Sequence, residues 1–324
     1  MAGVAFDFFG REFHVAIVSD GAVSVSGSSR PTSVLWHADP NGAAHLPDTL
    51  RTANRDRFLS FIRQRPALMG VLNVTPDSFS DGGQYASPQA ALRRAHEMAA
   101  QGCAILDIGG ESTRPGHLRV DEAEELARVL PVIAHIRQEI ALPLSIDTTK
   151  PNVARKAAER GVEVINDVWG LQADPEMAHV AAETESAVVV MHNRAHIDAQ
   201  LDIFADFRRF FDRSLEIAER AGVDRDRILL DPGIGFGKTL EQNLASIWGL
   251  ERLREYGLPI LLGLSRKSFI GKVVGASVDR RLTGTVASNM VGLMRGAAVL
   301  RVHDLAEHRE ALALFNALKA TGDD

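Results

Sequence analysis

Eight short apolar runs, at residues 68–72, 104–108, 142–146, 162–165, 187–191, 228–230, 259–264 and 297–302, recur along the chain with longer amphipathic stretches between them. Runs this short suit strands covered on both faces. The stretches between carry helical spacing, as in Leu92, Ala95, Met98 and Ala99 within 90–100, and Phe210, Phe211, Leu215 and Ala218 within 207–221. Start signals agree. Ser87-Pro88 and Asp174-Pro175-Glu176 each place a capping side chain before a first-turn proline, and Thr239 with Gln242 fits a capping box. Strand–helix units in strict alternation imply a parallel sheet, and eight of them favour a closed (β/α)8 barrel over an open doubly wound sheet.

Such a barrel typically takes about 250 residues, and the chain has 324. The expected division is an N-terminal extension over 1–65, of unassigned role, and a barrel over 66–324. In the extension Phe13, Val15 and Ile17 alternate with other residues, and Val23 and Val25 do so after Asp20-Gly21, which predicts a β-hairpin with one apolar face. Residues 56–62 read as a short helix.

Charge and cysteine content narrow the function classes. With 36 Lys+Arg against 42 Asp+Glu, the net charge of −6 gives no overall attraction to a nucleic-acid backbone. No apolar run approaches a membrane span and no signal core opens the chain, so a cytoplasmic protein without a membrane partner is expected. Cys103 is the single cysteine; it opens an apolar run and reads as a buried, inert thiol.

The C-terminal ends of barrel strands carry the active site. Here those ends hold Asn73, Gly109-Gly110-Glu111 leading to Thr113 and Arg114, Asp147, Asn166-Asp167, His192-Asn193, Asp231, Ser265-Arg266-Lys267, and Arg301 with His303. One Asp after a strand is most often a cap or turn residue. Eight polar ends at one mouth point instead to a ligand, because desolvating so many polar groups without partners is costly. Asp147, Asn166 and Asp231 suit a flat heterocycle rich in N–H groups, and Lys267 could donate to a carbonyl on the same ring. Arg301 and His303 suit an anion, a phosphate above all, beside Asn73, which could ligate a magnesium ion bound to it. The bland alternatives are an Arg301 paired with a surface carboxylate and a His303 that merely precedes a cap at Asp304.

Two other motifs fail on inspection. The stretch 233–239 (GIGFGKT) is no nucleotide P-loop, since Pro232 stands where a glycine is needed, and no dinucleotide fingerprint, since Lys238 stands where another is needed. It reads as a glycine-rich turn that brings Phe236 near the mouth. His192 and His196 have zinc-helix spacing, but no Glu follows His192 and the pair falls on a loop.

NVTPDSFSDGG at 73–83, DIGGESTRPG at 107–116, Asn166-Asp167, DPGIGF at 231–236, SRKSF at 265–269 and Arg301-Val-His303 follow one another in one order. Together they resemble the dihydropteroate synthases, from Pro66 to about Leu318. That family joins 6-hydroxymethyl-7,8-dihydropterin diphosphate to p-aminobenzoate, releasing diphosphate and making 7,8-dihydropteroate for folate synthesis. The resemblance implies pterin recognition by Asp147, Asn166, Asp231 and Lys267, with apolar walls at Met191 and Phe236. It further implies diphosphate and Mg2+ contacts at Asn73, Arg301 and His303, with Thr113 also on the pterin diphosphate. Phe79, Asp81, Arg114 and Pro115 would lie on two loops around p-aminobenzoate, Ser268 would receive its carboxylate, and the enzyme would be a homodimer. An arylamine is neutral at pH 7 and needs no strong base, so catalysis would fall on the leaving side, with Arg301 and His303 offsetting diphosphate charge, while Asp147 would stabilise a cation at the exocyclic carbon and Lys267 would complete the catalytic set. A pterin-dependent methyltransferase could share the barrel, but it need not keep 265–269 or the Phe79–Asp81 segment. A non-catalytic pterin-binding paralogue need not keep Asn73, Arg114, Arg301 or His303.

Overall fold

In the computed structural model the residues described with their side chains are 49–75, 87–111 and 120–321. The expected hairpin lies upstream of them. All eight apolar runs are strands: β1 (Ala67–Asn73), β2 (Ile105–Gly109), β3 (Leu144–Asp147), β4 (Val164–Asp167), β5 (Ala187–Met191), β6 (Ile228–Asp231), β7 (Ile260–Leu262) and β8 (Ala297–Val302). They close into one barrel. Every neighbouring pair is parallel, and β8 returns to β1 with Arg301 opposite Met69.

Helices cover the outside as the spacing requires. The face of α2 (Pro88–Ala100) that carries Ala91, Ala95 and Met98 is buried, and the Ser87 hydroxyl caps this helix by accepting from the Ala90 amide at 3.2 Å. Thr239 and Gln242 form the expected capping box at the start of α7 (Leu240–Trp248). The Asp174 carboxylate accepts at 2.9 Å from the amide of Glu176, the first residue of α5 (Glu176–Glu183), reaching past Pro175 as the sequence signal implies. The Cys103 thiol is buried, and burial pushes its pKa up to about 12, so it stays unreactive.

The expected short helix is in fact α1 (Asp48–Gln64). Its sequence hides it, since the helix buries few apolar residues: Phe58, Leu59 and Ile62 enter the barrel interior, against Met69, Ile105, Val164, Val189, Leu229, Leu261 and Val299. This helix closes the N-terminal end of the barrel. Polar contacts fix its seat. Asn54 donates to Glu163 at 3.2 Å, Arg55 donates to the Glu185 carbonyl, and Arg63 donates to the Asp226 carbonyl at 2.6 Å. Glu163 is itself fully buried against the Arg137 guanidinium, which also donates to the Leu142 carbonyl at 2.7 Å.

Candidate functional site

Side chains in a strand alternate faces, so the residue two positions beyond an inward apolar residue also points inward, one layer nearer the strand's C-terminal end. Applied to the apolar floor, that rule gives a polar layer: Ile105 leads to Asp107, Val164 to Asn166, Leu229 to Asp231 and Val299 to Arg301. Asp147 joins from β3, opposite both Gly109 and Asn166 in register.

These side chains meet across the mouth. Arg301 Nε donates to Asp107 Oδ2 at 2.6 Å and Arg301 Nη2 to Asp147 Oδ2 at 2.8 Å, while Asn166 donates to the same Asp107 oxygen at 3.1 Å. Asp107, Asp147, Asn166 and Asp231 are all buried. Burial opposes the Arg301 charge, but Asp107 and Asp147 more than offset it and hold the guanidinium above its usual range. The Asp147 carboxyl is pushed up to about 7, first by burial and then by the neighbouring acids, with Arg301 pulling it back. Asp231 is also raised by burial, against the pull of Lys267. Burial brings Lys267 down to about 8; its ammonium donates to the Ile234 carbonyl and stands 4.6 Å from the centre of the Phe236 ring.

Two buried carboxylate oxygens in this layer, Asp107 Oδ1 and Asp147 Oδ1, have no hydrogen-bond partner among the described residues. An unpaired buried acceptor costs about 1–3 kcal/mol, so a ligand that brings N–H donors to the mouth would recover that loss. Gly263 stands in the same layer, beside Asp231 and Arg301. A Cβ there would lie 3.6 Å from Asp231 Oδ2 and 3.8 Å from Arg301 Cδ.

The structure thus brings Asp147, Asn166, Asp231, Lys267 and Arg301 together, with Met191 opposite Asp231 in register and Phe236 against Lys267. Arg301 is turned toward two buried acids at the mouth, not toward the surface carboxylate considered from sequence. His303 sits against the Ser265 hydroxyl at 3.0 Å, and Asp304 pairs with Arg266 at 2.6 Å instead of capping α10 (Leu305–Ala320). Ser268 is exposed as the first residue of α8 (Ser268–Val274). Phe79, Asp81, Thr113, Arg114 and Pro115 lie outside the described residues.

Asp107 is the member that sequence reasoning missed. It lies within the run 104–108, and the polar end of that strand reads as starting at Gly109. Counting two on from Ile105 would have found it. Asp167 shows the converse. It follows Asn166 but has the opposite parity, and its carboxylate accepts from the Trp169 amide at 2.9 Å and the Leu171 amide at 2.6 Å, as a turn residue does.

Among the described residues no cluster of three or more His, Cys, Asp or Glu side chains could hold a metal ion. Asn73, partly exposed at the end of β1, offers one neutral amide oxygen. That donor fits a magnesium ion that comes with a diphosphate and keeps its waters.

A barrel whose mouth joins buried acids, an amide and two cations in this way has the donors and acceptors that suit a planar, N–H-rich ring, and comparison with known proteins gives the chain a family. The family model described as pterin binding enzyme matches residues 69–303. The dihydropteroate synthase of Bacillus subtilis is 45% identical over 280 residues, covering 86% of this chain and 98% of its own. A crystal structure of the Clostridium difficile dihydropteroate synthase in the presence of pteroic acid is 47% identical, with TM-score 0.77, covering 79% of this chain and 97% of that one. The Xanthomonas albilineans dihydropteroate synthase with 4-aminobenzoic acid is 44% identical, with TM-score 0.76, over 79% and 94%. The chain belongs to the pterin-binding enzyme family and, within it, to the dihydropteroate synthases.

Proposed function

We propose that the chain condenses 6-hydroxymethyl-7,8-dihydropterin diphosphate with p-aminobenzoate in folate biosynthesis. The observation that carries this reading is the buried polar layer, with two carboxylate oxygens that lack donors. Asp147, Asn166 and Asp231 would take the ring N–H and amino groups, Lys267 would donate to the ring carbonyl, and Met191 and Phe236 would wall the ring. In the reaction the amine nitrogen attacks the exocyclic carbon, the bond from that carbon to the diphosphate oxygen breaks, and the amine loses a proton to solvent. Arg301 and His303 would offset charge that builds on the leaving group, and Asp147 would favour positive charge on the pterin side. Asn73 would hold Mg2+, which supplies further charge neutralisation to the diphosphate. Thr113 would touch the pterin diphosphate, while Phe79, Asp81, Arg114, Pro115 and Ser268 would form the p-aminobenzoate side.

The hairpin reading of the extension is supported by antiparallel backbone pairing of Arg11–Val18 with Ala22–Gly27. Because α1 fills the barrel floor, we place it with the barrel rather than the extension. A homodimer follows from the resemblance, and the exposed apolar side chains Val273, Val274, Val278 and Met294 offer a face for a second copy. A cytoplasmic site of action fits a chain in which no described helix is long and apolar enough to cross a membrane. Incubating the purified chain with both substrates should give dihydropteroate, and chelating magnesium should suppress it. Absence of product with both substrates and magnesium present would overturn the reading.

A further inference from the structure

Behind the pterin side of the mouth lies a second buried cluster that the proposed reaction does not use. β6 leads into the loop 231–239, where Gly233, Gly235 and Gly237 have φ of 62°, 88° and 58°. A Cβ at Gly233 would lie 1.9 Å from the His192 carbonyl oxygen, and one at Gly237 would lie 2.4 Å from Arg194 Cβ. Only glycine permits so close an approach to the end of β5. The curl turns carbonyls inward onto one cation. Lys238 Nζ donates to the Gly233 carbonyl at 2.8 Å, to the Phe236 carbonyl at 3.1 Å and to His192 Nδ1 at 2.8 Å, and Lys238 is buried.

His192 completes the cluster. Its ring lies between Phe207 and Phe210, with centroids 4.7 Å and 4.8 Å away, and its Nε2 is 3.1 Å from Asp206 on α6 (Ile203–Ala221). The Asp206 carboxylate only accepts, so the ring proton sits on Nε2, facing it, and Nδ1 accepts from Lys238, whose own pKa burial brings down to about 7. Burial holds His192 down to about 4, which keeps the imidazole neutral and able to accept.

The loop that Lys238 gathers also carries the pterin side of the mouth. Asp231 accepts from the Gly233 amide at 2.7 Å, the Ile234 carbonyl accepts from Lys267, and the Phe236 ring lies against that same ammonium. We propose that Lys238 is a positioning residue for pterin recognition, drawing two loop carbonyls and the His192 ring together so that Asp231, Phe236 and Lys267 stand at the spacing the ring requires. The proposal rests on the dihydropteroate synthase reading. It accounts for two motifs that the reaction leaves over, the glycine-rich turn with its lysine and the buried histidine. Asp206 acts one step further out, because it fixes the tautomer that makes Nδ1 an acceptor.

The test compares the full chain with Lys238→Met and Asp206→Asn, titrating 6-hydroxymethyl-7,8-dihydropterin and inorganic diphosphate with magnesium by calorimetry, with melting curves alongside. Lys238→Met removes the donor shared by the Gly233 and Phe236 carbonyls and His192 Nδ1 and should weaken pterin binding roughly tenfold or more, with diphosphate binding changed less than about twofold. Asp206→Asn, on the outer side of the cluster, should weaken pterin binding in the same direction by roughly two- to fivefold. If Lys238→Met does not fold, the Asp206→Asn titration decides. Unchanged pterin affinity in whichever variants fold, even with a lowered melting temperature, would reduce Lys238 to a structural role and overturn the proposal. An equal loss for pterin and diphosphate would overturn it too. A wild-type chain that fails to bind the pterin overturns the functional reading itself, whereas wild-type binding that the variants share sinks only this inference.

Discussion

The floor and the mouth of the barrel interior are built from the same strands, one inward layer apart, and they have opposite chemistry. At the floor Phe58, Leu59 and Ile62 of α1 meet Met69, Ile105, Val164, Leu229, Leu261 and Val299, and the chain itself supplies the cover. At the mouth Asp107, Asp147, Asn166 and Asp231 are buried beside a half-buried Arg301, and Asp107 and Asp147 each keep one oxygen without a partner among the described residues. The floor holds the barrel closed by apolar contact; the mouth keeps charges in a place that raises carboxyl pKa values and therefore works against folding at neutral pH. Stability and function are thus separated along the barrel axis.

Changes at the two ends should have opposite signatures. Phe58→Ala should cost about 3–5 kcal/mol of stability, the usual loss for a buried phenylalanine, while KM for both substrates stays within about twofold. Thermal melting and steady-state kinetics on the folded enzyme would check this, and a large KM change would break the separation. At the mouth, Asp231→Asn should weaken pterin binding by about 10- to 100-fold, from the loss of a charged hydrogen bond worth roughly 1.5–3 kcal/mol. The melting temperature should hold or rise, because the variant no longer buries a carboxylate whose charge the fold disfavours. A clear drop in melting temperature with pterin affinity intact would make Asp231 a turn residue.

The smallest effect concerns pH. The native Asp147 carboxyl, raised by burial from 3.8, titrates at about 7, so the folded state holds more protons than the unfolded state between those values. The contribution of this group to stability therefore declines as pH rises from about 4 to about 7. Asp167, raised to about 6, adds a shallower decline over the lower part of that window. Relative to wild type, Asp147→Asn should gain melting temperature as pH rises from 5 to about 7 and level off above that. A difference independent of pH would show that Arg301 holds Asp147 ionised throughout.

Much of this was legible without coordinates. The run lengths and their alternation with amphipathic stretches specified all eight strands, because a strand covered on both faces must be apolar throughout and a covering helix on one side only. The capping residues Ser87 and Thr239 were read correctly, since a cap acts within one helical turn. Positions just after a run gave Asp147, Asn166, Asp231 and Lys267, and the end of the last run gave Arg301, because a parallel barrel gathers all its strand ends at one face. Other features depend on contacts between distant segments. Phe58, Leu59 and Ile62 become a floor only when a closed barrel presents an apolar interior to α1, and the helix's own pattern of few apolar residues carries no sign of that. Lys238 becomes a buried donor to the loop carbonyls only when the end of β5 lies against the glycine-rich loop. Asp107 and Arg301 stand 194 positions apart, and their pairing exists because β8 closes on β1 and brings the last strand beside the first. Sequence determined the elements and which of their ends would be polar, since those follow from local periodicity. The tertiary structure alone decided which buried charge faces which, since that depends on closure and on inward parity across strands that no local pattern connects.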